Sequence, residues 1–511
     1  MIILLMLIGL LLATVLVVAL GDRTGLPWPA LLTILAAGGA LIPFTPDFEI
    51  PAELILPVFL PPLLWALARR TSWAVIRSQL STIISLSVLL VFTTIAVLAG
   101  VTWLLLPGIG VAAAIVLAAA LAPPDPVAVD AVAEPAGIPK RITTTLQTEG
   151  LFNDAASIVT FHVALAALVA GTDLSWSEGA LEFGWSVLAA VLLGLLVGRL
   201  AAFFTDHVDS VEARNALTWV LPFAVYLGAE QIGASGVIAI VIAAVELTSR
   251  ASIGAEDRLS GHAFWGTVEM LFTGVAFGLI GLNVRQAIEE VGAELWHAVW
   301  LGAVLAVVAI AVRFVWLFFS YRVNRRRTRR GLHAPLRLPE VVLMTWSGMR
   351  GLVTLALVLS IPDSIFPFHH EITVIALVVL LLTMVIPGLS LPWLVRRLNL
   401  DQGPDAAGDQ AREKLVHRAR RAAATHLIEK AGLPEEQVDS IRDWISQELA
   451  ADDEQVGNSR RLREQAHHVR IQALHAAQEE LLQARREPGV NPAYVDEVLA
   501  TVDRMLLAAR R

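Results

Sequence analysis

Five charged residues interrupt long apolar stretches of this 511-residue sequence: Asp125, Glu149, Asp154, Arg313 and Arg350. In the hydrocarbon of a bilayer a charged side chain costs roughly 2.5–3.5 kcal/mol on insertion scales, unless it is paired or hydrated. Charges kept at such positions therefore indicate either an ion or proton pathway or a structural ion pair.

Asp154 is the residue best suited to hold an ion, because no arginine obviously matches it. A buried carboxylate without a basic partner needs neutralising, by a proton or by a metal cation, and these two exclude each other. Asn153 adds an amide oxygen without a second charge. Backbone carbonyls freed near Pro124 are expected to complete the oxygen shell that a hard cation such as Na⁺ requires.

Glu149 and Arg313 are predicted to form a buried structural ion pair. Arg313 lies in the apolar segment AIAVRFVWLFF (309–319), and Glu149 precedes Asp154 by five residues on another helix face. The alternative is that the Arg313 side chain extends to the cytoplasmic interface, as long basic side chains often do.

Prolines around Asp125 predict a helix break at membrane depth. Pro123, Pro124 and Pro126 remove backbone donors and clash with the preceding turn. The second half of such a broken helix presents a positive N-terminal end, which Asp125 is placed to neutralise. The alternative is that 122–126 is an ordinary loop between two spans.

A second break is predicted at Arg350, where Gly348 and Gly351 weaken the helix. Two interrupted helices carrying charges of opposite sign, at corresponding positions of two halves, are typical of a transporter with a site near the bilayer midplane. The alternative is that Arg350 is a topology residue at the inner end of its span.

The elements that must position these residues are membrane-spanning helices. The chain is 56% hydrophobic and 16% charged, against a usual charged share of about 25%. Apolar runs long enough to cross a bilayer recur up to about residue 398. They predict an all-α polytopic protein with about thirteen transmembrane helices, over 2–20, 27–42, 52–68, 80–105, 110–132, 146–170, 180–204, 214–230, 232–248, 264–282, 293–321, 338–360 and 371–397.

Loop charges orient these spans. Basic residues fall mostly in one set of loops, including the arginine cluster 325–330, and acidic residues dominate the other set. By the positive-inside rule the N-terminus is expected outside and the C-terminus in the cytoplasm. Residues 401–511 are rich in Ala, Glu, Arg and Gln, which predicts a soluble helical tail on the cytoplasmic side.

Seven stretches together resemble the monovalent cation:proton antiporters of family 1, the NhaP/NHE type. These stretches are FLPPLLWAL (59–67), APPDPVAV (122–129), EGLFNDAAS (149–157), GLIGLNV (278–284), AVRFVWLF (311–318), WSGMRGLVTLAL (346–357) and LSLPWLVRRL (389–398). They are distributed over most of the range 50–400 in family order, and the ordered set is specific where each stretch alone is weak.

The resemblance implies a fold and an assembly. It implies NhaA/NhaP-like inverted repeats with two broken, crossing helices, within a transmembrane domain of residues 1–400. A dimer and scaffold part would comprise about 1–70 and 180–285, and a core part about 80–172 and 293–398. It further implies a homodimer in the plasma (bacterial inner) membrane, with lipid, a monovalent cation and the proton as partners.

The resemblance also implies roles for individual residues. Asp154 would bind Na⁺ or H⁺ alternately, with Asn153 as the neutral neighbour typical of electroneutral members. Glu149 and Arg313 would form the structural pair. Asp125 and Arg350 would balance the half-helix dipoles of the two broken helices. Asp125 and the Pro124 carbonyl are also expected, with Asp154 and Asn153, among the ion- and proton-binding groups.

Three departures from the family bear on ion selectivity. Relatives often have Thr or Ser where Pro124 stands, so that only a backbone carbonyl remains there. They often have Ser at the position of Gly150. Some carry an acidic residue where Ala66 follows Trp65. These differences leave K⁺ or Li⁺ open beside Na⁺.

Secondary active exchange of Na⁺ for H⁺ by alternating access, for pH and cation homeostasis, is the function that the sequence favours, with K⁺/H⁺ exchange as the alternative. No enzyme activity, cofactor or nucleic-acid partner is expected, and the chain has no cysteine for disulfides or thiolate-bound metal. An intramembrane aspartyl protease using Asp125 and Asp154 is a distant alternative, since no Gly-x-Gly-Asp sequence accompanies either residue. A cation channel is another, although no Gly-rich filter loop is visible.

Overall fold

A computed structural model of the chain describes residues 2–24, 27–42, 52–125, 129, 138, 140–171, 176–208, 210–250, 255–327, 335, 337–362, 366, 368–398, 413–419, 421–422, 460–487 and 490–510. All regular structure in these ranges is helical. The predicted all-α fold class is therefore confirmed.

Seventeen α-helices are described in the apolar region of the chain. In chain order they are α1 (Ile2–Thr24), α2 (Trp28–Ala40), α3 (Ala52–Ala68), α4 (Trp73–Ile83), α5 (Leu90–Leu105), α6 (Val111–Leu121), α7 (Lys140–Gly150), α8 (Asn153–Ala170), α9 (Trp176–His207), α10 (Val211–Gln231), α11 (Gly236–Arg250), α12 (Ala255–Val291), α13 (Leu295–Arg327), α14 (Leu338–Trp346), α15 (Leu352–Leu359), α16 (His369–Leu380) and α17 (Ile386–Arg397). Two π-helical segments, Ile84–Leu89 and Leu381–Val385, join α4 to α5 and α16 to α17. The tail contributes α18 (Arg460–Arg485) and α19 (Pro492–Arg510).

Several of these helices are long and apolar enough to cross a membrane. Within the ranges that the structure describes there are six such stretches: Leu4–Gly21, Trp73–Leu105, Ile142–Ala170, Gly179–His207, Arg258–Val323 and His369–Arg397. The fifth stretch contains both α12 and α13, and Trp28–Ala40, Leu54–Ala68 and Val111–Leu121 are shorter apolar helices. The protein is thus a multi-pass membrane protein, while the number of thirteen spans stays a prediction.

Three of the predicted spans are interrupted. In span 110–132, α6 ends at Leu121 and residues 123–125 are not helical, while 126–132, except Val129, lie outside the described residues. Span 338–360 is interrupted at 347–351, between α14 and α15. Span 146–170 was expected to be one helix, but it is divided between α7 and α8 because the helix ends at Gly150 and restarts at Asn153.

The most extensive helix contacts fall in two groups, and α12 of the first group also packs against α16 of the second. In the first, α12 packs against α1, α2 and α3, and α9 packs along α11. The second contact depends on Gly194 and Gly198, since a Cβ atom at either position would lie within 2.8 Å of a backbone oxygen of α11. In the second group, α13 packs against α5 and α16, and α6 lies between α5 and α8.

The tail helices α18 and α19 pack together and contact one end of the helix bundle. Arg258, near the start of α12, donates to the buried Asp503 carboxylate through Nε (2.6 Å) and Nη2 (2.5 Å). Gln478 donates to the same carboxylate at 2.8 Å, and Arg485 donates to the Arg69 carbonyl at 3.4 Å. Residues 401–412, 420 and 423–459 of the predicted tail lie outside the described residues.

Candidate functional site

The two interruptions after α6 and after α14 lie in direct contact. The backbone N–H of Asp125 donates to the Met349 carbonyl at 2.6 Å. The Arg350 guanidinium donates through Nε to the Leu121 carbonyl at 3.2 Å and through Nη2 to the Ala122 carbonyl at 3.4 Å. Unpaired backbone groups at one break are therefore satisfied by groups at the other.

The two charges at the breaks each lie at a helix end of the opposite segment. Arg350 is buried, and the carbonyls that it contacts close α6, whose C-terminal end carries partial negative charge. The Asp125 carboxylate lies against Gly351, where an added Cβ atom would stand 1.5 Å from its Oδ2 atom. Since Gly351 precedes the first residue of α15, this carboxylate lies at a positive helix end.

This arrangement differs in detail from the sequence expectation for Asp125. That carboxylate was expected to neutralise the second half of its own broken helix, at 126–132, which lies outside the described residues except for Val129. Its described contact is with the start of α15. Arg350 thus lies at the C-terminal end of α6, and Asp125 lies at the N-terminal end of α15, so that each interrupted segment supplies the charge that faces the helix end of the other.

Asn153 and Asp154 form the first turn of α8, which the division of the sixth span creates. Asn153 is completely buried and Asp154 is 3% exposed. The Asn153 amide donates to the Pro124 carbonyl at 2.5 Å, and Ser157, one turn later, donates to the Ala119 carbonyl at 2.6 Å. These bonds fix the start of α8 against the first break, and the helix N-terminus favours negative charge at Asp154.

Oxygen atoms at this position are left without partners in the part of the chain that the structure describes. Asp154 has no ion-pair partner there, and the Asn153 Oδ1 atom accepts no hydrogen bond. The Pro124 carbonyl accepts one bond from Asn153 and has a second lone pair. A carboxylate, an amide oxygen and a carbonyl are suitable ligands for a hard cation.

Glu149 and Arg313 are in contact through two hydrogen bonds. Arg313 Nη1 donates to Glu149 Oε1 at 2.5 Å and Nη2 donates to Oε2 at 2.9 Å. Both side chains are almost fully buried, and Arg313 Nε also donates to the Met344 carbonyl at 3.0 Å. Ser87, in the first π-helical segment, donates to the Glu149 carbonyl at 2.7 Å. The pair thus links α7 to α13 and to the end of α14.

Sequence reasoning missed four hydroxyl residues around this region. Ser87 and Ser157 donate to backbone carbonyls of Glu149 and Ala119. Ser347 and Thr354, on either side of the second break, are buried, and their hydroxyl oxygens have no hydrogen-bond partner among the residues that the structure describes. Hydroxyls flanking the glycines of WSGMRGLVTL were a usable signal, because a polar oxygen next to a helix break in an apolar segment is available to a ligand.

Similarity to known proteins identifies the family of this chain. A family profile described as "Sodium/hydrogen exchanger, transmembrane" matches residues 1–397. The chain belongs to the sodium/hydrogen exchanger family. The expectation of a transporter rather than an enzyme is confirmed by this membership.

Curated relatives of this exchanger come from several bacteria. A protein of Mycobacterium tuberculosis named as an uncharacterised Na⁺/H⁺ exchanger is 32% identical over 435 residues, covering 82% of this chain and 78% of the relative. A sodium, potassium, lithium and rubidium/H⁺ antiporter of Bacillus subtilis is 28% identical over 476 residues, covering 89% of this chain and 70% of that protein.

A solved structure shares the exchanger's fold. The sodium proton antiporter MjNhaP1 from Methanocaldococcus jannaschii, at pH 8, superposes with a TM-score of 0.58 and 18% sequence identity. The match covers 78% of this chain and 99% of MjNhaP1. The NhaP-type resemblance seen in the sequence is therefore confirmed by family, relatives and fold.

Proposed function

We propose that this exchanger carries Na⁺ and H⁺ in opposite directions by alternating access, with Asp154 as the binding group that both ions share. The observation that supports this most strongly is the position of Asp154. Its carboxylate is buried on the first turn of α8, beside unpartnered oxygen, and has no ion-pair partner within the described ranges.

The exchange follows from the electrostatics of one buried charge. A carboxylate in a low-dielectric interior is stable when a proton or a cation neutralises it, and binding of either removes the negative charge that attracts the other. Each passage across the membrane then carries one ion or the other. Because Asn153 is an amide, the site holds a single negative charge and exchanges one Na⁺ for one H⁺, which makes transport electroneutral.

The Na⁺ ligands in this proposal are a carboxylate oxygen of Asp154, the Asn153 Oδ1 atom and the Pro124 carbonyl. The Bacillus subtilis relative, named for sodium, potassium, lithium and rubidium, gives reason to test K⁺ and Li⁺ as well. The proposed ligands include no side-chain hydroxyl, so the ion shell is completed by carbonyls and water, which discriminate less by size. K⁺/H⁺ exchange is the second candidate function on these grounds.

The other intramembrane charges serve structure in this proposal. Glu149 and Arg313 neutralise each other and tie α7 to α13, so that neither competes for the transported ion. Asp125 and Arg350 stabilise the helix ends where the two interruptions meet. In this way the two helix interruptions beside Asp154 are stabilised, and the charges of Asp125 and Arg350 are compensated by the helix ends that they face.

We further propose the arrangement that the NhaP-type fold implies. It has thirteen spans in inverted repeats with crossing broken helices, and the core (80–172 and 293–398) moves against a scaffold (1–70 and 180–285). The two packing groups of helices support this division. A homodimer with an external N-terminus and a cytoplasmic C-terminus completes the proposal, the orientation being supported by the loop charges.

Exchange in proteoliposomes tests the function. Liposomes holding the purified full chain are given an acidic interior, and a pH-sensitive dye reports alkalinisation when Na⁺, K⁺ or Li⁺ is added outside. We expect Na⁺ to dissipate the gradient with the wild type and to have no effect with Asp154→Asn. Full activity of Asp154→Asn would refute the role of Asp154, and a wild type that responds to none of the cations would refute exchange itself.

A further inference from the structure

A second group of ion-binding side chains lies at the opposite end of the bundle from the tail. Glu294, in the 3-10 turn Gly292–Glu294, and His297, on the first turn of α13, converge with Glu371, on the first turn of α16. One ligand atom from each lies within 4.8 Å of the other two. None of the three takes part in the proposed transport mechanism.

The chemistry of this group differs from that of the Asp154 region. An imidazole nitrogen with two carboxylates suits a borderline divalent ion such as Zn²⁺, whereas Na⁺ and K⁺ are bound by oxygen alone. Glu294 and His297 are three residues apart, the spacing with which helical Glu-x-x-His pairs in bundle proteins point at one metal. Three protein ligands also leave a coordination position for water.

The three ligand atoms need to approach one another only slightly to bind a Zn²⁺ ion. Around a tetrahedral Zn²⁺ with bonds of about 2.0–2.2 Å, neighbouring ligand atoms stand roughly 3.4 Å apart. His297 Nδ1 and Glu371 Oε2 are already 3.3 Å apart. Glu294 is exposed, so its side chain is free to rotate the remaining distance.

A surface ion pair is the simpler explanation, and it accounts for only part of the group. One carboxylate suffices to pair with His297, and Glu371 provides it. The carboxylate of Glu294 is a second one beside His297, and it adds negative charge and a third ligand atom at the same point. The His297 ring stacks on Trp300, with ring centroids 6.5 Å apart and planes inclined by 22°, which limits its rotation.

The surroundings place the group at the membrane–water boundary. Trp296 and Trp300 flank His297 and are 79% and 51% exposed, as is typical of the aromatic belt. A cleft of about 180 Å³ lies at the same end of the bundle, lined by residues of α12 and by His369, His370 and Thr373 of α16. An ion therefore reaches this end of the bundle from water.

We propose that Glu294, His297 and Glu371 form a binding site for a divalent transition-metal ion of the Zn²⁺ class. The bound ion ties the beginning of α13 to the beginning of α16, the two helices that pack along each other in the second group. A ligand that binds the folded state raises its stability, so the metal stabilises the exchanger against unfolding.

Metal titration of the purified, tag-free full chain tests this proposal. Zn²⁺ binding is measured by calorimetry and by the thermal unfolding midpoint, and Co²⁺ in its place reports the ligand geometry by visible absorption. We expect one ion per chain and a raised midpoint. His297→Ala and Glu371→Gln should each weaken binding by at least roughly 10–100-fold, the loss that is already typical when only an outer-shell partner of a metal site is removed.

Two matched variants keep the test specific. Glu294→Gln removes a ligand at an exposed position and should also weaken binding, whereas His370→Ala, next to Glu371 in sequence, should bind as the wild type does. Absence of saturable binding by the wild type would overturn the proposal. Wild-type affinity in His297→Ala would overturn it too, because the ion would then be held by other histidines.

Discussion

At the scale of single residues, the intramembrane charges divide into paired and unpaired ones. Arg313 and Glu149 satisfy each other through two hydrogen bonds, and Arg350 is held by three backbone carbonyls. Asp154 lacks such a basic partner among the residues described. The cost of burying a charge thus gives two carboxylates five residues apart different roles: Glu149 is neutralised by Arg313, and Asp154 is left to be neutralised by a proton or a cation.

Removing one member of the buried pair should destabilise the protein strongly. We expect Arg313→Met or Glu149→Gln alone to lower the free energy of unfolding by about 3–5 kcal/mol, because a buried charge is left uncompensated. The double variant should lose less than the sum of the two. Thermal unfolding in detergent measures this.

The pair Arg285–Glu289 on α12, in which Glu289 is exposed and Arg285 is half-buried, is the matched control. Arg285→Met should change the free energy of unfolding by less than about 1 kcal/mol, since exposed pairs contribute little. Additive losses in the Glu149/Arg313 double variant would show that the two side chains do not stabilise each other.

The single charge at Asn153–Asp154 predicts how transport responds to voltage. One Na⁺ exchanged for one H⁺ moves no net charge, whereas each net charge moved through 100 mV would change the driving energy by about 2.3 kcal/mol. We expect the exchange rate in proteoliposomes to be nearly unchanged when valinomycin and a K⁺ gradient impose a potential. A steep dependence on that potential would contradict electroneutral exchange.

At the scale of elements, the contact between the two helix interruptions determines the site. Gly351 is pressed against Asp125, so Gly351→Ala would drive the two breaks apart. We expect the exchange rate to fall by at least about tenfold, since displacements of about 1 Å at a reacting site can cost about 100-fold.

Gly100→Ala, on α5, serves as the control for this substitution. An added Cβ atom at Gly100 meets no atom within 4 Å, so exchange should continue at the wild-type rate. If both variants transport equally well, close contact between Asp125 and Gly351 is not required for exchange.

The sequence predicts some of these elements and not others, for physical reasons. The breaks at Pro123–Pro124 and at Gly348–Gly351 could be located because proline and glycine act locally. The break at Leu151–Phe152 carries no such residue beyond Gly150, so 146–170 reads as one continuous apolar helix. Its position nevertheless matters, because it places Asp154 at a helix N-terminus.

Contacts between distant segments were predictable only where charge matching identified them. Glu149 and Arg313 stand out as two buried charges of opposite sign, and their contact could be anticipated. The bonds from Arg350 to the Leu121 and Ala122 carbonyls involve backbone atoms of an alanine-rich helix, which carries no sequence signal. The two π-helical segments likewise have no recognisable pattern.

At the scale of the whole molecule, the tail is attached to the membrane part by a buried ion pair. Asp503 is 1% exposed and receives bonds from Arg258 and Gln478. We expect Arg258→Asp or Asp503→Arg alone to release α18 and α19 from the bundle, and the double reversal to restore part of the contact. Limited proteolysis of the tail measures release.

Cross-linking gives an independent measure, because the chain contains no cysteine and introduced cysteines are the only thiols. Tail helices that stay attached in both single variants would show that the Arg258–Asp503 pair is dispensable for docking. Arg285→Asp, on α12 far from the tail, provides the matched charge change that should leave the tail in place.

Proton release on Na⁺ binding tests the central claim most directly, since that claim is competition for Asp154. Purified exchanger in weakly buffered detergent solution is titrated with Na⁺ while a pH indicator records released protons. The account predicts that Na⁺ binding releases up to one proton per chain in the wild type, and that Asp154→Asn releases none. Saturable Na⁺ binding without proton release, at every pH tested, would contradict it.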